Sequence, residues 1–271
     1  MRHFGWLAAV LTIWVAPALA DVTLAGHQQQ GGLMMGRAAP GATVLVDGRA
    51  ARVAGDGQFV FGFGRDHPAD SVIEVRFADG RSERRILSVA SHPYDIQRVD
   101  GLPQNMVTPN PEELERIKRD NAEVAKVREI DSAEPLFRSG WIWPVIGTIT
   151  SIYGSQRILN GEPRQPHYGI DIAAPEGTPV KASTDGVVLM AEPDMLLTGG
   201  TIIVDHGFGL SGAYSHLSKL LVKVGDRVRQ GDTIGLVGHT GRVTASHLDW
   251  RVNWFDQRLD PALLVGPMPD H

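Results

Sequence analysis

Short apolar runs, broken by tight-turn dipeptides, set the texture of most of the chain and predict strands. Residues 43–46, 58–64 and 72–77 read as strands, with Asp47-Gly48, Asp56-Gly57 and Asp79-Gly80 as turns. Over residues 21–95 this makes a small N-terminal β module, sandwich-like in its strand spacing. It shows no catalytic constellation, and His27, His67 and His92 are expected at its surface. The period then changes. Leu114, Ile117, Val124 and Val127 form a narrow apolar stripe at helical spacing. Asn110 suits the N-cap, Pro111 the first helical position and Glu113 the acid of a capping box. The pattern predicts one helix over about residues 111–130, a spacer lying on one of the domains within a 96–134 linker. From about residue 135 strands and turns return: 147–153, 178–191, 201–205, 212–216, 233–238 and 247–254. The fold class is therefore mainly β, with an antiparallel C-terminal domain over residues 135–271 and a groove between its loops.

The first residues change the picture of location. Arg2 precedes an apolar run over residues 4–15, and Ala18-Leu19-Ala20 offers a small-x-small cleavage site. The run has roughly 12 residues against the ~20 that span a bilayer. Residues 1–20 are thus expected to be a cleaved signal peptide. The mature protein is expected to be periplasmic or secreted, with no membrane span. The sequence holds no cysteine, so its cores must be stable without disulfides. A formal net charge of −5, with no basic block, argues against a nucleic-acid partner.

Three segments of the C-terminal part hold candidate chemistry. His167 and Asp171 are four apart, and Gly169 between them predicts a bend entering a strand rather than a helix face. Tyr214 and His216 share one face of a strand. In the segment from His247 to Val252, alternation puts His247, Asp249 and Arg251 on one exposed face and Leu248, Trp250 and Val252 on the core face. Each segment alone is weak. Their combination within one domain points to a metal or acid–base site. His206, at a strand end, reads as structural, and His239 as a loop histidine.

Residues 143–261 resemble the LytM-type, lysostaphin-like zinc endopeptidases. The resemblance rests on His167-Tyr168-Gly169-Ile170-Asp171, Asp205-His206-Gly207, Tyr214-Ser215-His216, Gly238-His239-Thr240-Gly241 and His247. It implies His167 and Asp171 as zinc ligands, and His216 and His247 as the catalytic histidines. The family's third ligand is a histidine, where this sequence has Asp249. A carboxylate oxygen is a normal zinc ligand at about 2.0–2.2 Å, so Asp249 is expected to take that place. One histidine and two carboxylates would leave the zinc site formally neutral, which predicts a slower or more selective enzyme, or one that binds its metal differently. The implied activity is hydrolysis of the peptide cross-links of peptidoglycan, with its peptides as partners. The alternative is a catalytically inactive family member that regulates other wall hydrolases.

Overall fold

The structure, a computed structural model, describes residues 22–100 and 110–269. The expected signal peptide lies outside the described residues. Strands dominate, and the one α-helix described is α1 (Pro111–Arg128). None of the described helices is long and apolar enough to cross a membrane.

The N-terminal strands are β1 (Val22–Gly26), β2 (Leu33–Ala38), β3 (Thr43–Val46), β4 (Arg49–Ala51), β5 (Gln58–Gly62), β6 (Asp70–Arg76) and β7 (Ser82–Ser88). They form two antiparallel sheets, ordered β1-β2-β5 and β4-β3-β6-β7. Alternation is clear here. In β3, Val44 and Val46 are buried while Thr43 and Leu45 face out. In β6, Ile73 and Val75 point inward beside Ser71. Phe59, Phe61 and Phe63 fill the space between the sheets. The Asp47-Gly48 turn has both residues at positive φ, as a two-residue hairpin of this hand requires. His67 departs from the surface expectation. Its side chain is only 10% exposed, and its Nε2 lies 3.1 Å from the Asp47 carboxylate.

Strand β8 (Ile96–Val99) follows, then α1. The helix carries the expected capping box: Asn110 accepts from the Glu113 N–H, and the Glu113 carboxylate accepts from the Asn110 N–H. It lies on the peptidase-like part. Val124 and Val127 pack against Met190, Met195, Ile203 and Ala213. The Asp120 carboxylate accepts from the Leu196 N–H at 2.8 Å.

The remaining strands are β9 (Thr148–Ser151), β10 (Gln156–Leu159), β11 (Glu162–Pro163), β12 (Ile170–Ala173), β13 (Pro179–Lys181), β14 (Gly186–Met195), β15 (Gly199–Gly207), β16 (Leu210–Leu220), β17 (Arg227–Val228), β18 (Thr233–Val237), β19 (His247–Trp254) and β20 (Gln257–Leu259). The main sheet runs β17-β14-β15-β16-β19-β12-β9 and is antiparallel, with β13, β18 and β20 at its margins. The expected single strand over 178–191 is two strands. Polar Ser183, Thr184 and Asp185 leave the ladder between them, with Ser183 N–H bonded to the Tyr214 hydroxyl. One parallel pair interrupts the antiparallel pattern: β8 lies along β10, so the linker is zipped to the β10–β11 hairpin.

One apolar core runs through both parts, from Phe59 and Phe61 to Trp254 and Leu259. The contact is close. A Cβ on Gly62 would fall 2.4 Å from the Leu259 side chain, and one on Gly31 would fall 2.9 Å from Tyr153.

Candidate metal centre and active site

Strand pairing builds the site. β19 lies between β12 and β16, with Asp249 opposite Asp171 on one side and opposite Ser215 on the other. Two carboxylates directly across a strand pair repel each other, so positive charge beside them is favourable. His167 joins them because its loop is fixed by the backbone: its N–H donates to Ser155 and its carbonyl accepts from Gly154. One donor atom from each of His167, Asp171 and Asp249 lies within 4.8 Å of the others.

The donor atoms behave as ligands in waiting. His167 Nε2 and Asp171 Oδ1 are 3.1 Å apart, yet both are buried and neither completes a hydrogen bond. They lie close to each other and to a donor atom of Asp249. Buried polar atoms without partners are costly, and a cation bound among them would relieve both. The donor set of one imidazole and two carboxylates fits zinc chemistry. Gly169 makes the convergence possible. A Cβ there would stand 2.7 Å from Asp249 Oδ1 and 2.6 Å from the Arg251 side chain.

Asp249 departs from the expected exposed face. Leu248, Trp250 and Val252 are buried as expected, but Asp249 is also only 2% exposed. The sheet is covered on both sides here, and Arg251 reaches back over the carboxylate. Arg251 Nε donates to Asp249 Oδ1 at 2.9 Å and Oδ2 at 3.0 Å, and Nη2 donates to Oδ2 at 2.5 Å. Burial alone would raise the Asp249 pKa. The Arg251 charge and hydrogen bonds, with His167 and His216 nearby, outweigh it and hold the carboxyl well below its usual range. Asp249 is therefore a carboxylate, and Oδ1 keeps a lone pair for a metal.

His216 and His247 face each other with ring centroids 4.7 Å apart. His216 sits at φ 65, a conformation rare for a side-chain-bearing residue, where β16 departs from regular pairing. Its Nδ1 lies 2.9 Å from the Thr240 carbonyl, and His247 Nδ1 lies 2.9 Å from the Ala245 carbonyl. A carbonyl only accepts, so each neutral ring carries its proton on Nδ1 and leaves Nε2 as an acceptor. His247 Nε2 is 3.8 Å from Asp171 Oδ1, at the edge of the donor cluster. Burial lowers the His216 pKa. The nearby Asp249 charge and the Thr240 hydrogen bond raise it, but do not reverse that shift.

These groups lie on the floor of a groove. On one side is a cleft of about 510 Å³ whose wall includes Ile117, Val124 and Arg128 of α1. On the other is a cleft of about 860 Å³ beside the β10–β11 hairpin and the Thr244–Ser246 loop. His206 and His239 stay outside the site. His206 is fully buried, with Nδ1 2.8 Å from the Asp185 carbonyl, and exposed His239 pairs with Glu176. The sequence reading left Arg251 without a role, although it placed it on the right face. It missed Arg128 and Arg258, which also line the helix-side cleft. No local motif marks them.

Fold and site define a mainly β peptidase with histidine and carboxylate donors on a groove floor. A model of peptidase family M23 matches residues 165–261. A solved structure of a Pseudomonas aeruginosa chain assigned to peptidase M23 is 31% identical, with a TM-score of 0.70, and the match covers 88% of this chain and 95% of that one. The chain belongs to peptidase family M23. Among curated proteins it is similar to peptidoglycan DD-endopeptidase ShyA of Vibrio cholerae, 47% identical over 87 residues, or 32% of this chain and 20% of that protein. It is also similar to DD-carboxypeptidase/endopeptidase Mpg of Neisseria meningitidis, 39% identical over 104 residues, or 38% of this chain and 24% of that protein. The matched stretches thus span about a fifth to a quarter of these curated relatives.

Proposed function

We propose that the protein is a zinc-dependent endopeptidase that hydrolyses peptide cross-links of bacterial peptidoglycan outside the cytoplasm. The observation that carries this reading is the convergence of His167, Asp171 and Asp249 on one point, with His216 and His247 presenting Nε2 beside it. His167, Asp171 and Asp249 would hold the metal and leave a position open. Zinc bound there would make its water more acidic and polarise the scissile carbonyl. His216 Nε2, neutral near pH 7, is placed to accept a proton from the attacking water. The proton so taken is held at His216 Nε2 for return to the leaving amine, and His247, with its Nε2 an acceptor in the neutral ring, lies beside it. The β10–β11 hairpin and α1 flank the substrate strand.

Arg251 changes the charge balance read from the sequence. A divalent ion with two carboxylates is neutral, but Arg251, bonded to Asp249, restores one positive charge. That is the net charge of a site with two histidines and one carboxylate. The expectation of a weakened metal therefore gives way to one of near-normal electrophilicity. The names of the relatives make a D,D cross-link the first bond to test.

The double grip of Arg251 on Asp249 also favours a second reading, in which Asp249 is lost to the metal and the protein regulates other wall hydrolases. Digestion of purified peptidoglycan by the full chain, with and without chelator, separates the two. Cross-linked fragments that split only when zinc is present support the endopeptidase. Intact fragments in the presence of zinc overturn it in favour of the regulator.

A further inference from the structure

Five arginines line the helix-side cleft, and three of them are close enough to act on one another's charge: Arg128 at the end of α1, Arg251 on β19 and Arg258 on β20. Of these three, Arg251 alone has a counter-ion, Asp249. Arg258 Nη1 donates to the neutral Asn253 side chain at 3.0 Å, and its guanidinium lies over the Tyr168 ring at 5.6 Å. Arg128 is 9% exposed, and its buried Nε has no hydrogen-bond partner. Among the described residues no carboxylate lies within ion-pair distance of Arg128 or Arg258.

We infer that Arg128 and Arg258 form an anion subsite that binds a free carboxylate on the peptide substrate. The identity of the ligand rests on the endopeptidase reading; the cation cluster does not. Buried like charges without a counter-ion are unfavourable, and an anion arriving with the substrate removes that cost. Burial, followed by the charges of Arg258 and Arg251, disfavours the charged form of Arg128 and pushes its pKa down to about 8. Arg258 is pushed down to about 10, first by burial and then by Arg251. A planar guanidinium suits a carboxylate because it offers paired donors in a fixed fork. The placement fits a peptide held across the groove. One arm would reach the outer cleft, while the other would end at the arginines under α1. The helix is then a wall of the binding site as well as a connection between two parts of the chain.

The test is calorimetric titration of the full chain with N-acetyl-D-alanyl-D-alanine and with its C-terminal amide, zinc-loaded and again in chelator. The acid is expected to bind about tenfold tighter than the amide in both states. Arg128→Met should abolish that preference, and Arg128→Lys, which keeps the charge and the helix, should retain part of it. Equal binding of acid and amide by the parent, or an undiminished preference in Arg128→Met, would overturn the subsite. A free-anion site is the remaining outcome. Inorganic phosphate binding that depends on Arg128, with acid and amide bound alike, would also overturn the proposal. Peptidoglycan digestion by the same preparations keeps the two readings apart. Cleavage without acid preference defeats the subsite alone, and acid preference without cleavage defeats the endopeptidase alone.

Discussion

The two β parts of the molecule use alternation differently. In the N-terminal module, strands such as β3 and β6 bury one face and expose the other. Most of their polar residues face water; Ser71 is the buried exception and donates to the Asp47 carboxylate at 2.7 Å. In the peptidase domain, β15 is buried along its whole length and β19 almost so. Polar residues on such strands cannot reach water, so each needs a partner. Asp249 has Arg251, Asp205 has the Ser132 hydroxyl, and His206 has the Asp185 carbonyl. A polar residue on a strand covered on both faces is thus a sign of chemistry or of a built network. On the half-exposed strands of the N-terminal module most polar residues face solvent instead.

Substitutions at matched positions can break this contrast. His216→Ala should lower the rate of cross-link cleavage by about 10²–10⁴-fold while leaving the fold intact, measured by fragment release and circular dichroism. Phe61→Ala, at 0% exposure between the N-terminal sheets, should cost about 3–5 kcal/mol of stability, measured by urea unfolding. A titration sharpens the comparison. Burial pushes the His206 pKa from 6.5 down to about 4. Below pH 6.5 the unfolded chain gains a proton that the folded chain refuses, so stability falls with pH. The loss from this group reaches about 3 kcal/mol near pH 4. Urea midpoints at pH 7, 5.5 and 4 should show it, and His206→Gln should remove that part of the slope. The smallest effect is expected at the helix. Glu113→Ala removes a half-exposed ion pair with Arg242 and a capping contact and should cost no more than about 1 kcal/mol.

Much of the site was legible in the sequence because its geometry is local. The turn at Gly169 and the period-two run from His247 to Arg251 already mark four of the five candidate residues, although alternation put Asp249 on an exposed face and the roles came from the family resemblance. His216 was found as a strand residue, but its left-handed backbone was not, because irregular pairing arises from three strands meeting. The helix and its cap were legible from Asn110, Pro111 and Glu113. The edge strand β7 was missed because Glu83, Arg84 and Arg85 lack apolar alternation. β8 was missed because its partner, β10, lies far along the chain. Arg128 and Arg258 lie well apart in sequence and meet only in the folded groove, so no spacing rule could join them.

The core shared by the two parts has a thermodynamic consequence. Leu259 packs against Gly62, and Tyr153 packs against Gly31 and donates to the Arg258 carbonyl at 2.7 Å. Neither part can open without exposing apolar surface of the other, so the two should melt as a single cooperative unit. A calorimetric trace should show one transition whose van't Hoff and calorimetric enthalpies agree. Destabilising the N-terminal module at Phe61 would then lower the population of the assembled groove, far from any residue that touches substrate.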